Sequence, residues 1–235
     1  MAAVSQKTIR NQILSRLSAA DFALLAPHLE VVDLPTPRQL ERRNKPIEHV
    51  YFLDSGFASV VANGQEDRSI EVGLIGREGM TGVAVILGTD RSPNETFMQL
   101  AGSGWRVPTD RLRHAQEKSA TLSRELLRYA HVFLVQTSQT ALSNGRSKID
   151  ERLARWLLMA HDRADSEQLK LTHDFLATML GVRRPGVTVA LSLLERQGLI
   201  RVHRGVISLT DRKGLEELSN GAYGAPEAEA RRLFA

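Results

Sequence analysis

Helical segments on either side of a β-rich stretch place this chain in the α+β class. Three observations predict it. From Val31 to Pro108, short β-branched and aromatic runs alternate with Gly, Pro, Asn and Asp. From Ser119 to Ser143, apolar residues keep helical spacing with no Gly or Pro. From Leu171 to Leu209, two short helical patterns precede an alternating, hairpin-like one. The expected architecture is an N-terminal β jelly-roll barrel, a long helix and a C-terminal winged helix-turn-helix.

Each element follows from local pattern. Ser5 to Leu29 reads as amphipathic helix, apolar at Ile9, Ile13, Leu17, Phe22, Leu25 and Leu29, with Ser18 as a cap ahead of Asp21. Strands are expected at Val31-Val32, His49–Leu53, Ala58–Val61, Ser69–Gly73, Phe97–Ala101 and Gly104–Val107. Short strands with frequent turns suit a small barrel or jelly roll better than βαβ units. Asp110 is placed to cap a short helix ending at Glu117.

The long helix carries two apolar seams. Leu122, Leu126, Tyr129, Phe133, Gln136 and Thr140 follow a heptad, and Leu127, Ala130, Leu134, Thr137 and Ala141 lie beside it. So wide a stripe suits either a helix buried twice within one chain or, the favoured reading, one that faces the barrel on one side and a partner helix on the other. Asn144-Gly145-Arg146-Ser147 is the expected hinge, with Asn-Gly breaking the helix and Ser147 capping the next, Ile149 to Asp162. Leu153, Trp156, Leu157 and Ala160 form that helix's core face. Residues 220–235 are expected to be a flexible tail, loose beyond Tyr223.

Composition narrows the class. The 235 residues suffice for two modest domains, and 42% hydrophobic with 25% charged residues is a globular composition. No apolar run approaches the roughly 18–20 residues that span a bilayer. Met1 to Arg16 lacks an apolar signal core, so export and a membrane partner are not expected. Cysteine is absent, which removes disulfides, thiolate zinc sites and cysteine-held clusters and agrees with a cytoplasmic location. His49, His114 and His131 are scattered without the partner motif that a haem site needs, and no cofactor is expected. No activated nucleophile, ligand cluster or Walker loop appears, so the chain does not read as an enzyme.

The helix-turn-helix carries the function. Thr172 caps the helix His173–Leu180, Gly181-Val182-Arg183 makes the turn, and a second helix runs from about Arg184 to Gln197, stopped by Gly198. Leu199 to Leu209 alternates around His203-Arg204-Gly205. Two helices joined by a turn of about three to four residues set the second helix into the DNA major groove. Between Leu171 and Lys213 stand seven Lys/Arg against three acids, while the remaining residues hold 24 of each sign, so the whole excess of +4 sits here. That is the footprint of phosphate contacts.

Barrel, long helix, hinge and winged helix-turn-helix, in that order, resemble the cyclic-AMP receptor (Crp/Fnr) family of bacterial transcription regulators. The resemblance spans about Ser15 to Ser219. It is most specific at Leu171-Thr172-His173-Asp174-Phe175-Leu176-Ala177-Thr178-Met179-Leu180-Gly181-Val182, then Arg183-Arg184 and Gly198-Leu199-Ile200. The run Glu151-Arg152-Leu153-Ala154-Arg155-Trp156-Leu157-Leu158 is also similar to the helix ahead of the motif. The resemblance implies a cyclic-nucleotide-binding-like sensor domain over residues 1–118, a dimerisation helix and hinge over 119–145, and the DNA-binding domain over 146–219. It implies a homodimer joined through the 119–143 helix, a palindromic double-stranded operator, RNA polymerase as a partner and a small-molecule effector.

Arg184 stands where the family usually has its guanine-reading Arg, and Arg183 serves base or phosphate. Gly186 lies between Arg184 and Thr188 in the DNA-facing turn, and Thr188 contacts base or phosphate. Thr172 and His173, at a helix N-terminus, suit phosphate, as does Arg204 in the wing. Val187, Ala190, Leu191 and Leu194 read as core. One departure matters: where the family often has an acid after the Arg, this chain has Pro185 then Gly186, so the familiar operator is not assumed.

The family's cyclic-nucleotide binders have a Gly-Glu pair ahead of an Arg-Ser pair. Arg91-Ser92 is present, but Gly79-Met80-Thr81-Gly82 stands upstream without the Glu. Thr81, Gly82, Arg91 and Ser92 are therefore the candidate contacts of a degenerate pocket. The alternative reading is a receptor in which a cyclic mono- or dinucleotide is the obligatory switch.

Overall fold

The computed structural model describes residues 4–64 and 69–234. They divide into two compact units, residues 4–60 with 75–132, and the described residues of 61–74 with 133–234. In order the elements are α1 (Gln12–Arg16), α2 (Ala19–Leu25), β1 (Glu30–Leu34), β2 (Gln39–Glu41), β3 (His49–Leu53), β4 (Phe57–Asn63) and β5 (Ser69–Ile75). There follow α3 (Val83–Ile86), β6 (Glu95–Leu100), β7 (Gly102–Pro108), α4 (Thr109–Lys118), α5 (Ala120–Arg146) and α6 (Ile149–Arg163). The chain closes with β8 (Gln168–Lys170), α7 (His173–Leu180), α8 (Arg184–Arg196), β9 (Ile200–His203), β10 (Val206–Leu209), α9 (Arg212–Leu218) and α10 (Ala225–Phe234).

The N-terminal strands make two sheets, ordered β1-β7-β3 and β2-β6-β4-β5. In the first, β7 pairs antiparallel with β1 (Val31 opposite Trp105) and with β3 (Val50 opposite Val107). Phe52, Leu53, Phe57, Met80 and Met98 are buried there. Asn11, fully buried, starts α1: its side-chain oxygen accepts from the Ile13 and Leu14 amides, and its Nδ2 donates to the Leu53 and Gly79 carbonyls at 3.0 and 2.8 Å. Ser18 caps α2 as expected, accepting from the Asp21 amide. Strand β2 and helix α3 are too short and mixed in pattern to stand out in sequence.

Helix α5 buries the first of its two expected seams. Leu122, Leu126, Tyr129, Gln136 and Thr140 are covered; of the second seam Leu127, Leu134 and Ala141 are exposed, but Ala130 is buried and Thr137 half-buried, so it is only partly open. Within the first unit the Tyr129 hydroxyl donates to the Met80 carbonyl at 2.7 Å. Gly79 leaves room for that ring, since a Cβ would fall 2.7 Å from it. Within the second unit Gln136 clasps β5 end-on: its Oε1 accepts from the Leu74 amide at 2.6 Å and its Nε2 donates to the Leu74 carbonyl at 3.1 Å.

Three expectations are corrected. The helix does not break at Asn144-Gly145 but runs through Arg146. A single Gly in a helix costs only about 1 kcal/mol against Ala, and the last turn keeps its bonds, with the Ser147 amide reaching the Ser143 carbonyl at 2.9 Å. The break comes at Lys148, whose amide donates to Glu151 at 2.9 Å, so Lys148 rather than Ser147 heads α6. Nor is the tail loose beyond Tyr223, because α10 occupies 225–234 with Pro226 buried in its first turn. The tail is fastened by polar contacts. The Ala222 carbonyl accepts from Arg155 Nε at 2.9 Å, and the Tyr223 hydroxyl sits between Asp162 and Arg212.

Gln136→Leu is expected to leave two buried main-chain groups of Leu74 without this partner. At about 1–3 kcal/mol per unsatisfied buried group, urea unfolding should register a loss of a few kcal/mol. An unchanged midpoint would show that the clasp is dispensable.

Candidate nucleic-acid interface

The second unit builds its helix-turn-helix from short-range signals. The Thr172 hydroxyl accepts from the Phe175 amide at 3.2 Å and starts α7. Gly181 ends it in the left-handed conformation, φ +60°, with the Val182 amide returning to the Ala177 carbonyl at 2.9 Å. Gly181 is also a contact point, since a Cβ there would meet Ile70 Cδ1 at 2.7 Å. Arg183 then heads α8, with Pro185 in the first turn where a missing amide hydrogen costs nothing.

The apolar face of α8 is the one expected, with Val187, Ala190, Leu191 and Leu194 all buried. The opposite face exposes Arg183, Arg184, Pro185, Thr188, Val189 and Ser192. Gly186 belongs to neither: a Cβ there would approach Ile149 Cδ1 at 3.2 Å, so its smallness serves packing against α6. The wing is a three-stranded sheet ordered β8-β10-β9. Strand β8, only three residues long, adds to the hairpin read from sequence. Its tip turns on Arg204 and Gly205, both at positive φ (48° and 76°), and Arg201, His203 and Arg204 are exposed.

Two side-chain pairs join the start of α7 to the start of α8. His173 Nδ1 lies 2.9 Å from Thr188 Oγ1, and the Thr188 hydroxyl donates to the Arg184 carbonyl at 3.3 Å. The Thr188 hydroxyl is thus shared between the His173 ring and the Arg184 carbonyl. Arg184 Nε stands 3.5 Å from Asp174 Oδ1, with the two side chains 64% and 74% exposed. So exposed a pair contributes little to stability. Sequence reading missed Asp174 because a lone acid in a first helical turn looks like a dipole partner.

Buried polar groups hold this unit together. Trp156 Nε1 donates to Glu71 Oε1 at 2.7 Å, and the Trp156 ring meets Phe175 edge-on at 5.7 Å between centroids. Arg155 Nη2 donates to Thr140 Oγ1 at 3.1 Å. Burial pulls the Arg155 pKa down to about 10, opposed by the charges of Glu227 and Glu71, so it stays cationic at neutral pH.

The four candidate ligand contacts are occupied with neighbours. Thr81 is fully buried, and its Oγ1 accepts from the Tyr51 amide at 3.0 Å. The Gly82 amide donates to Glu41 at 2.5 Å, and Thr96 Oγ1 donates to the same carboxylate at 3.0 Å. Burial raises the Glu41 pKa in spite of these donors. Arg91 is exposed beside Asp90 at 3.5 Å, and Ser92 Oγ accepts from the Asn94 amide at 3.1 Å in a surface turn.

Comparison with known proteins agrees with this geometry. Residues 151–218 match the Crp-like helix-turn-helix domain. The transcriptional regulator SdrP of Thermus thermophilus is 26% identical over 180 residues, covering 74% of this chain and 85% of SdrP. FixK2 of Bradyrhizobium japonicum superposes with a TM-score of 0.70 at 20% identity, over 81% of this chain and 96% of FixK2. A Crp/Fnr-family regulator of known structure from Thermus thermophilus gives 0.68 at 23% identity, over 82% of this chain and all of that one. These structural likenesses show a shared fold.

Thr172→Ala is expected to cost about 0.5–2 kcal/mol, the worth of an N-cap hydroxyl, in urea unfolding followed by tryptophan fluorescence. Thr172→Ser should restore most of it, and equal losses in both variants would contradict a capping role.

Proposed function

We propose that this chain, a Crp/Fnr-type transcription regulator with a Crp-like DNA-binding domain, reads a palindromic operator as a homodimer. The carrying observation is the exposed seam of α5. Leu127, His131, Leu134, Ser138 and Ala141 are all exposed and follow one another in alternate steps of four and three residues. That is the 3.5-residue repeat by which two helices pair. Leu134 alone is 62% exposed, and Leu142 beside the seam 57%. Pairing along it would cover both and relate two α8 helices by a two-fold axis, with half-sites about 34–36 Å apart.

In each half-site α8 enters the major groove. Arg184 leaves Asp174 for a guanine, Arg183 and Arg204 meet phosphate, and the α7 N-terminus at Thr172 and His173 grips the backbone. The regulator works in the cytoplasm with RNA polymerase as its onward partner, and its β half modulates DNA binding. The engagement of Thr81 and Gly82 with Tyr51 and Glu41, and the exposure of Arg91, favour modulation without a cyclic mononucleotide.

Leu134→Glu is expected to give a monomer in sedimentation equilibrium and to lose about 10²–10⁴-fold in operator affinity, the factor linked sites supply. A dimer that persists would overturn the α5 seam. Arg184→Ala should abolish preference for an operator enriched from random DNA while leaving weak, salt-sensitive binding. Unchanged preference would remove Arg184 from base reading.

A further inference from the structure

We infer that Val189 is a base-reading residue, its methyl groups packing on the C5-methyl of a thymine in the major groove. The inference rests on the operator-reading role proposed above and adds a residue and a base to it. Val189 is 65% exposed in the middle of α8, on the face opposite Val187, Ala190, Leu191 and Leu194. A β-branched residue is a poorer helix former than Ala, Leu or Lys. Exposed as it is, Val189 gains little by packing, so the fold gives no reason for it.

Its neighbours narrow the occupant. Pro185 lies one turn before Val189, also exposed, so the two form an apolar strip flanked by Arg184, Thr188 and Ser192. Thr188 Oγ1 is already engaged with both His173 Nδ1 at 2.9 Å and the Arg184 carbonyl at 3.3 Å, which leaves it little capacity to read a base edge. At this turn of the helix the free surface is apolar. Among the four base pairs, the apolar group in the major groove is the thymine methyl. The surrounding basic excess fits a polyanionic partner better than an apolar protein surface. The rise over the five residues from Arg184 to Val189, about 7.5 Å against about 3.4 Å between base pairs, puts this thymine about two pairs from the guanine read by Arg184.

The test uses the full-length dimer and an operator enriched by it from random DNA, with each thymine near the guanine replaced in turn by deoxyuridine, which lacks only the methyl. Wild-type protein should lose about fourfold per half-site at one such position, the worth of one buried methyl group. Val189→Ala should bind the thymine operator more weakly and barely distinguish deoxyuridine from thymine there. Its salt dependence and non-specific affinity should match wild type, since no charge is removed. Equal deoxyuridine losses in wild type and V189A, or no thymine within two pairs of the guanine, would overturn the inference and leave the operator role standing. Failure of wild-type protein to enrich any site would overturn both.

Discussion

Helix α5 carries more apolar surface than one chain covers, and much of the molecule answers to that constraint. Its buried seam changes character along its length. Leu122, Leu126 and Tyr129 pack in the first unit, whereas Gln136 and Thr140 serve the second by hydrogen bonding. An apolar contact tolerates sliding, but a side-chain amide bonded to one residue's amide and carbonyl does not. Gln136 therefore fixes the register of β5 along the helix. The exposed seam has no cover within the chain, and in the proposed reading a second copy supplies it.

The second unit is organised around a buried cation. Arg155 has little solvent, and its charge is balanced by carbonyl, hydroxyl and two acids contributed from widely separated stretches of sequence. Ala222 comes from the C-terminal segment, Thr140 from α5 and Glu71 from β5. One guanidinium thus sets conditions on three elements, and removing any partner would leave desolvated charge behind. This also explains why a polar C-terminal segment with Gly and Pro is ordered at all.

How much was legible in the sequence follows from the range of each interaction. Helices α7 and α8 and the β9-β10 hairpin were readable because their signals lie within a few residues: Thr172 at a cap, Gly181 and Gly198 at positive φ, Arg204-Gly205 in a tight turn. The core face of α8 followed from periodicity alone. The hinge was misplaced because Asn-Gly is a local breaking signal that tertiary context overrode. The fate of Thr81 and Gly82 was hidden, since their partners Tyr51 and Glu41 are about 30 and 41 residues away. The Arg184–Asp174 pair was equally hidden, because it forms only once the turn brings the start of α7 beside the start of α8.

The wing tip has a consequence for how such a chain is free to change. Arg204 occupies φ +48°, a region that costs a non-glycine residue roughly 1–2 kcal/mol. Drift toward greater robustness alone would favour Gly or Asn at that corner, and either would give up the guanidinium. In the proposed DNA-binding role, thermal tolerance and grip on a polyanion would therefore pull this position in opposite directions. A more heat-resistant version of the chain would be expected to move its wing cation to the neighbouring strand, where Arg201 already stands in extended backbone.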